Sequence, residues 1–165
     1  MSTSIKKSDY DHKNPREVTL FCGRGVSTSF PGTDTFTPTV PIPSSARIAQ
    51  VTVDTRHRMK PVIEIEFSSI VSFLAAGSDA KASLSFLLYR NCDDEEPVVV
   101  NSWSYEVFEL ENTTIRERLS TSFAFNFCEC LNDGDCCEYF VEAFVGGLQQ
   151  SSVQINNVHI TALAG

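Results

Sequence analysis

The feature that most constrains this chain is strict two-residue alternation. Ile63, Ile65 and Phe67 alternate with Glu64 and Glu66, and Leu84, Phe86 and Leu88 alternate with Ser83 and Ser85. On a strand, successive side chains point to opposite faces, so this period marks half-buried β-structure. The same reading extends over Glu17–Cys22, Ala46–Asp54, Val98–Leu110 (as two strands or one bent strand), Arg118–Cys130, Cys136–Val145 and Val153–Leu163. Ile70–Leu74 reads as a continuation of 62–68 past a bulge, and Asn156-Asn157 as a register break in the last strand. The best helix candidate, Thr113–Leu119, is barely two turns long.

The pattern predicts roughly eight or nine strands at the spacing of sandwiches and barrels. We therefore expect an all-β fold: a single-domain antiparallel two-sheet sandwich of jelly-roll type, with the 12 phenylalanines filling the gap between sheets. Residues 1–16 are polar and aperiodic and read as a flexible N-terminal tail or connector. Residues 17–165 form the domain. Gly23-Arg-Gly25 and Gly146-Gly147 read as turns, and the Ser/Thr/Pro-rich stretch from Val26 to Ser45 reads as a loop.

Charge narrows the function classes. A net charge of −8 disfavours nucleic acid and anionic lipid as partners. No apolar run is long enough for a membrane helix, so no membrane insertion is expected. The N-terminus lacks the apolar segment of a secretory signal.

Six cysteines suit an oxidising compartment. Two export routes stay open: release on cell lysis, or removal of a signal before residue 1. Cys128 and Cys130 flank one side of a short loop, and Cys136 and Cys137 the other. The loop reads as a short hairpin, so the two pairs are expected to lie near each other whatever the rest of the fold does. Cys92, Cys128, Cys130, Cys136 and Cys137 are the candidates for intradomain disulfides, with the pairing left open. Cys22 stands apart beside the tail and is the candidate for an intersubunit disulfide. A zinc site at Cys128, Cys130, Cys136 and Cys137 is the competing reading, but Cys-x-Cys and Cys-Cys match structural zinc spacing poorly. Buried free thiols in a cytosolic protein are the plainest alternative. A redox Cys-x-x-Cys is absent.

Catalysis and cofactors find little support. Asp93–Glu96 and Asn132-Asp-Gly-Asp135 supply only a fragment of a calcium loop, and they read as solvated turns. Glu64 and Glu66 have the side-by-side placement of a glycosidase pair, which a solvent-facing strand explains more simply. His12, His57 and His159 sit in no motif, and no nucleophile elbow or phosphate loop occurs. Asn112-Thr-Thr114 is a glycosylation sequon. Trp103 and Tyr105 share a strand face, fit for sugar stacking or, more simply, for core packing. We expect no enzyme activity, no metal and no cofactor.

Four segments carry a resemblance: Glu17-Val-Thr-Leu-Phe-Cys-Gly-Arg-Gly25, Leu87-Leu-Tyr-Arg-Asn-Cys92, Phe123–Cys137 and Val153–Ile160. Together they resemble a family of small cysteine-containing β-proteins of spore-forming clostridia. The architecture is similar to the subunits of endospore appendages, jelly rolls with an N-terminal connector that stack by strand augmentation and lock with disulfides. The resemblance implies Cys22 as the connector cysteine, although those connectors carry cysteines very near the start and residues 1–21 here have none. The expectation is a self-assembling homopolymer subunit of an extracellular or spore-surface filament, with its own copies as partners. A non-catalytic carbohydrate- or surface-binding sandwich is the alternative.

Overall fold

The computed structural model describes residues 17–93, 95–108 and 117–165. These form ten strands: β1 (Thr19–Cys22), β2 (Arg24–Gly25), β3 (Thr28–Phe30), β4 (Ser45–Asp54), β5 (Val62–Ala75), β6 (Lys81–Cys92), β7 (Val98–Phe108), β8 (Arg118–Cys130), β9 (Cys136–Gln149) and β10 (Ser151–Ala164). One sheet has the order β1-β10-β5-β8, with β3 also on β10, and the other β2-β4-β9-β6-β7. Every pairing is antiparallel. Successive long strands mostly change sheet; β6 and β7 are the long pair joined within one. That connectivity is the two-sheet sandwich of a jelly roll.

The alternation builds the core. Ile63, Ile65, Phe67, Val71 and Phe73 of β5 face Leu84, Phe86 and Leu88 of β6 across the gap, with Ile155 and Ile160 of β10 beside them. Burying each such side chain stabilises the fold by roughly 1.5–3 kcal/mol. The phenylalanines do not all go there. Phe30, Phe67, Phe73, Phe86 and Phe125 are buried in the core, whereas Phe36 and Phe108 are exposed. Aliphatic residues fill most of the gap.

Several local expectations are corrected. β5 runs unbroken through Ser68-Ser69, because Ser69 takes an inward position in phase with Phe67 and Val71 and is itself buried. Gly146-Gly147 lies inside β9, where Ser83 pairs with Gly147 and Leu84 with Val145, so Gly146 is the extra residue of a bulge. The chain turns instead at Gln150, whose φ is 43°. The register break in β10 falls between Asn156 and His159, with Asn157 at φ 50°. The Val26–Ser45 stretch contains the short strand β3. Residues 98–108 form one strand.

Gly23-Arg-Gly25 is not a simple turn. It carries the chain from β1 in one sheet to β2 in the other. A Cβ on Gly23 would lie 2.5 Å from the Gln50 carbonyl oxygen, and one on Gly25 would lie 1.9 Å from that of Val158. Only glycine allows the backbone to pass so close at these two positions. The tail, Asn112–Thr114 and the helix candidate's residues 113–116 lie outside the described residues. Arg118 and Leu119 of that candidate begin β8.

Candidate functional site

The loop at 131–135 joins two sheets and closes no hairpin. β8 pairs with β5, while β9 pairs with β4 and β6. The two cysteine pairs therefore lie on different sheets. Cys137 faces inward, fully buried, and is the register partner of Cys92 on β6. These two form a disulfide, with Cα atoms 4.0 Å apart. The strand pairing that aligns them was not readable from the loop spacing.

The other four cysteines are free thiols. Cys136 is half-buried, and Cys22, Cys128 and Cys130 are exposed. The last three share one surface, the outer face of the β1-β10-β5-β8 sheet. Cys22 pairs with Thr161, Thr161 with Glu66 and Glu66 with Asn126, so Cys22 is level with Asn126. Cys128 and Cys130 follow Asn126 on the same face of β8. The three thiols thus stand at opposite edges of one sheet, β1 and β8. Glu64 and Glu66 occupy the outward face between them, opposite Cys128 and Asn126.

Beyond the disulfide, Arg90 and Tyr139 converge on Glu129. The guanidinium of Arg90 pairs with the Glu129 carboxylate at 2.5 Å, and the Tyr139 hydroxyl donates to it at 2.6 Å. Because Glu129 belongs to β8 and the other two to β6 and β9, the cluster ties the sheets together. Burial, and then the hydrogen bond to Glu129, push the Tyr139 hydroxyl well above the usual phenol range. No sequence motif announced this cluster; its members lie in three separate strands.

The opposite pole of chemistry is the open side of the sandwich, where β7 and β8 are the outermost strands of their sheets. Aromatic rings close the gap beneath them. Trp103 stacks on Phe125 with centroids 3.6 Å apart, Phe86 stacks on Phe123 at 4.2 Å, and Tyr105 meets Phe123 edge-on at 6.1 Å. Trp103 and Tyr105 therefore pack inward, against the core. The backbone edges of β7 and β8 pair with no other strand among the described residues.

The remaining candidates carry little geometry. The Asn132–Asp135 loop is spent on structure: the Thr55 N–H donates to the Asp135 carbonyl at 2.8 Å, and Asp135 N–H donates to the Thr55 hydroxyl at 3.2 Å. Asp93 and Glu95 lie in a turn, and Asp94 lies outside the described residues. His57 and His159 are exposed, and His12 is outside the described residues. Among the described residues, no group of three or more His, Cys, Asp or Glu side chains is placed to hold a metal. No described helix is long and apolar enough to cross a membrane.

Residues 17–165 match the family model described as a domain of unknown function, DUF4489. The chain belongs to that family. No curated protein matches it. Among solved structures, this DUF4489 domain is similar to Eiger TNF from S. frugiperda, at 14% identity and a TM-score of 0.38, covering 90% of this chain and 92% of that one. It is also similar to a protein of the infectious bursal disease virus Gx strain, at 7% identity and TM-score 0.34, over 90% of this chain and 35% of that one. A third is the enzymatically active domain of bacteriophage CBA120 tailspike protein 4, at 16% identity and TM-score 0.33, over 87% of this chain and 19% of that one. None of these likenesses bears on what the chain does.

Proposed function

We propose that the protein is a non-catalytic structural subunit. In this reading its copies assemble into a filament on an extracellular or spore surface, joined by strand augmentation and locked by disulfides. The observation that carries the proposal is the unguarded edge. From Leu119 to Cys128, β8 contains no charged residue, no proline and no glycine, and β7 has Glu106 as its one charge. Proteins that stay monomeric usually blunt such edges with lysine, proline or a bulge, because unpaired backbone groups template another strand. Among the described residues β8 has none of these devices from Leu119 to Cys128, while β7, beside it, has one, a bulge at Val100. The Cys92–Cys137 disulfide supports the choice of an oxidising surface location.

Light scattering and negative-stain microscopy of the full chain at physiological salt test the reading. Elongated particles whose mass grows with protein concentration are the expected result. Monodisperse single-copy particles at high concentration, with or without reductant, would overturn it.

A further inference from the structure

The edges that meet in such an assembly are identifiable from the hydrogen-bond phase of the two outer strands. Gly23 N–H donates to the Ile160 carbonyl at 3.0 Å. In an antiparallel ladder bonded residues recur at every second position, so Phe21 and Thr19 also point their backbone groups at β10. Leu20 and Cys22 then point theirs outward, at the free edge. On the other side, Leu131 N–H donates to the Pro61 carbonyl at 3.0 Å. By the same phase, Glu129 and Phe127 bond β5, while Asn126, Cys128 and Cys130 point their backbone groups at the free edge of β8.

Two independent conditions for pairing are therefore met by the same residues. The strand residues whose backbone groups bond no other strand among the described residues (Leu20 and Cys22 on β1, and Asn126, Cys128 and Cys130 on β8) are those whose side chains lie on the outer face. Direction agrees as well. Three antiparallel steps separate β1 from β8, so they run oppositely. A second copy displaced sideways in the sheet plane sets its β1 antiparallel beside β8.

We propose that β1 of one copy adds to β8 of the next, and that Cys22 of the first forms a disulfide with the Cys128-Glu129-Cys130 pair of the second. This rests on the self-assembly reading above. Within one molecule the bond is out of reach: three strand spacings separate β1 from β8, about 14 Å, whereas a disulfide needs Cα atoms roughly 4.4–6.8 Å apart. Between copies, a bonded antiparallel pair brings Cα atoms to about 5.5 Å. Because the contact joins two different edges, it leaves a free β1 at one end and a free β8 at the other, and it propagates as a filament. The oxidant is a low-molecular-weight disulfide. A thiolate attacks it to give a mixed disulfide and one released thiol. The second cysteine then displaces the other thiol, so two protein thiols are oxidised and one small disulfide is reduced.

The test treats the full chain with oxidised glutathione and resolves it on non-reducing denaturing gels. The wild type should give a ladder that collapses with reductant. Cys22→Ser alone, and Cys128→Ser/Cys130→Ser alone, should each lose the ladder, with circular dichroism showing that each variant is folded. Mixed in equal amounts, the two variants should give a band that stops at the dimer, because each mixture partner retains only one half of the junction. Cys136→Ser should keep the ladder. Peptide mapping should join Cys22 to Cys128 or Cys130. A ladder that survives in Cys128→Ser/Cys130→Ser, or in Cys22→Ser, would overturn the pairing. Light scattering under reductant separates the two levels. Large particles without the mapped crosslink sink the pairing and leave self-assembly standing. Single-copy particles sink both.

Discussion

The Tyr139 hydroxyl donates a hydrogen bond to the Glu129 carboxylate at 2.6 Å, across the gap between the two sheets. The bond has a pH signature. Burial, and the carboxylate beside it, hold the folded-state phenol well above its ordinary value of 10.0. A raised folded value means that the unfolded chain loses this proton first. The stabilising contribution is then fully present below about pH 10 and is lost as pH rises above it. Tyr139→Phe should lower stability at neutral pH by about 1.5–3 kcal/mol, the usual net worth of a hydrogen bond to a charged group. It should also flatten the loss of stability above pH 10. Urea midpoints from pH 8 to 11 read both effects. An unchanged alkaline slope in the variant would count against the assignment.

The Cys92–Cys137 disulfide links positions 45 residues apart. Closing a loop of that size restricts the unfolded chain and is worth about 2–4 kcal/mol. Reductant should lower the unfolding midpoint of the wild type accordingly. It should leave the midpoint of Cys22→Ser/Cys92→Ala/Cys137→Ala unmoved, because that variant lacks both the Cys92–Cys137 bond and the thiol proposed to crosslink copies.

What could be read in advance follows from what alternation encodes. Ile63, Ile65 and Phe67 reveal which face of a strand is buried, and Asn156-Asn157 reveals where the face slips. Neither reveals which strand lies alongside. Cys128–Cys130 and Cys136-Cys137 look like neighbours because they flank five loop residues, yet β8 and β9 bond strands 40 or more positions away on different sheets. The same limit hid the Arg90, Glu129 and Tyr139 cluster. Glycine misled in both directions, since Gly146 marks a bulge and Gly23 a crossing between sheets. Backbone approach sets those roles, and it depends on distant partners such as Ser83 and Ile160.

Gly25→Ala tests the crossing. The added carbon would fall 1.9 Å from the Val158 carbonyl oxygen, so the β2 segment or β10 must move. The expected cost is about 1–3 kcal/mol, the range of an overpacked site. Thermal unfolding measures it. A variant as stable as the wild type would show that the crossing has room to shift.

Salt should act on assembly in a stated direction. Each copy carries a net charge of −8, so copies repel one another at low ionic strength. Raising salt from about 0.01 M to 0.15 M shortens the screening length from about 30 Å to about 8 Å. The concentration at which particles form should fall as salt rises, as sedimentation will show. A rise would point to attraction between opposite charges as the main contact, which the uncharged edge of β8 does not provide.

Asn126→Lys probes the edge without touching the core. Asn126 is exposed on β8, and its backbone groups face away from β5 in the phase set by Leu131 and Pro61. A surface change of this kind usually shifts stability by no more than about 0.5 kcal/mol. Lysine on an edge nevertheless penalises a strand laid against it, because the arriving strand must bury or displace the ammonium. The assembly concentration should rise by on the order of tenfold, equivalent to about 1.4 kcal/mol per junction. Glu106→Lys on β7 replaces one charge with another on the other outer strand and serves as the control. If both changes block assembly equally, the two edges act together as one surface. If only Asn126→Lys does, β8 alone receives the incoming strand, as the phase of its free backbone groups requires.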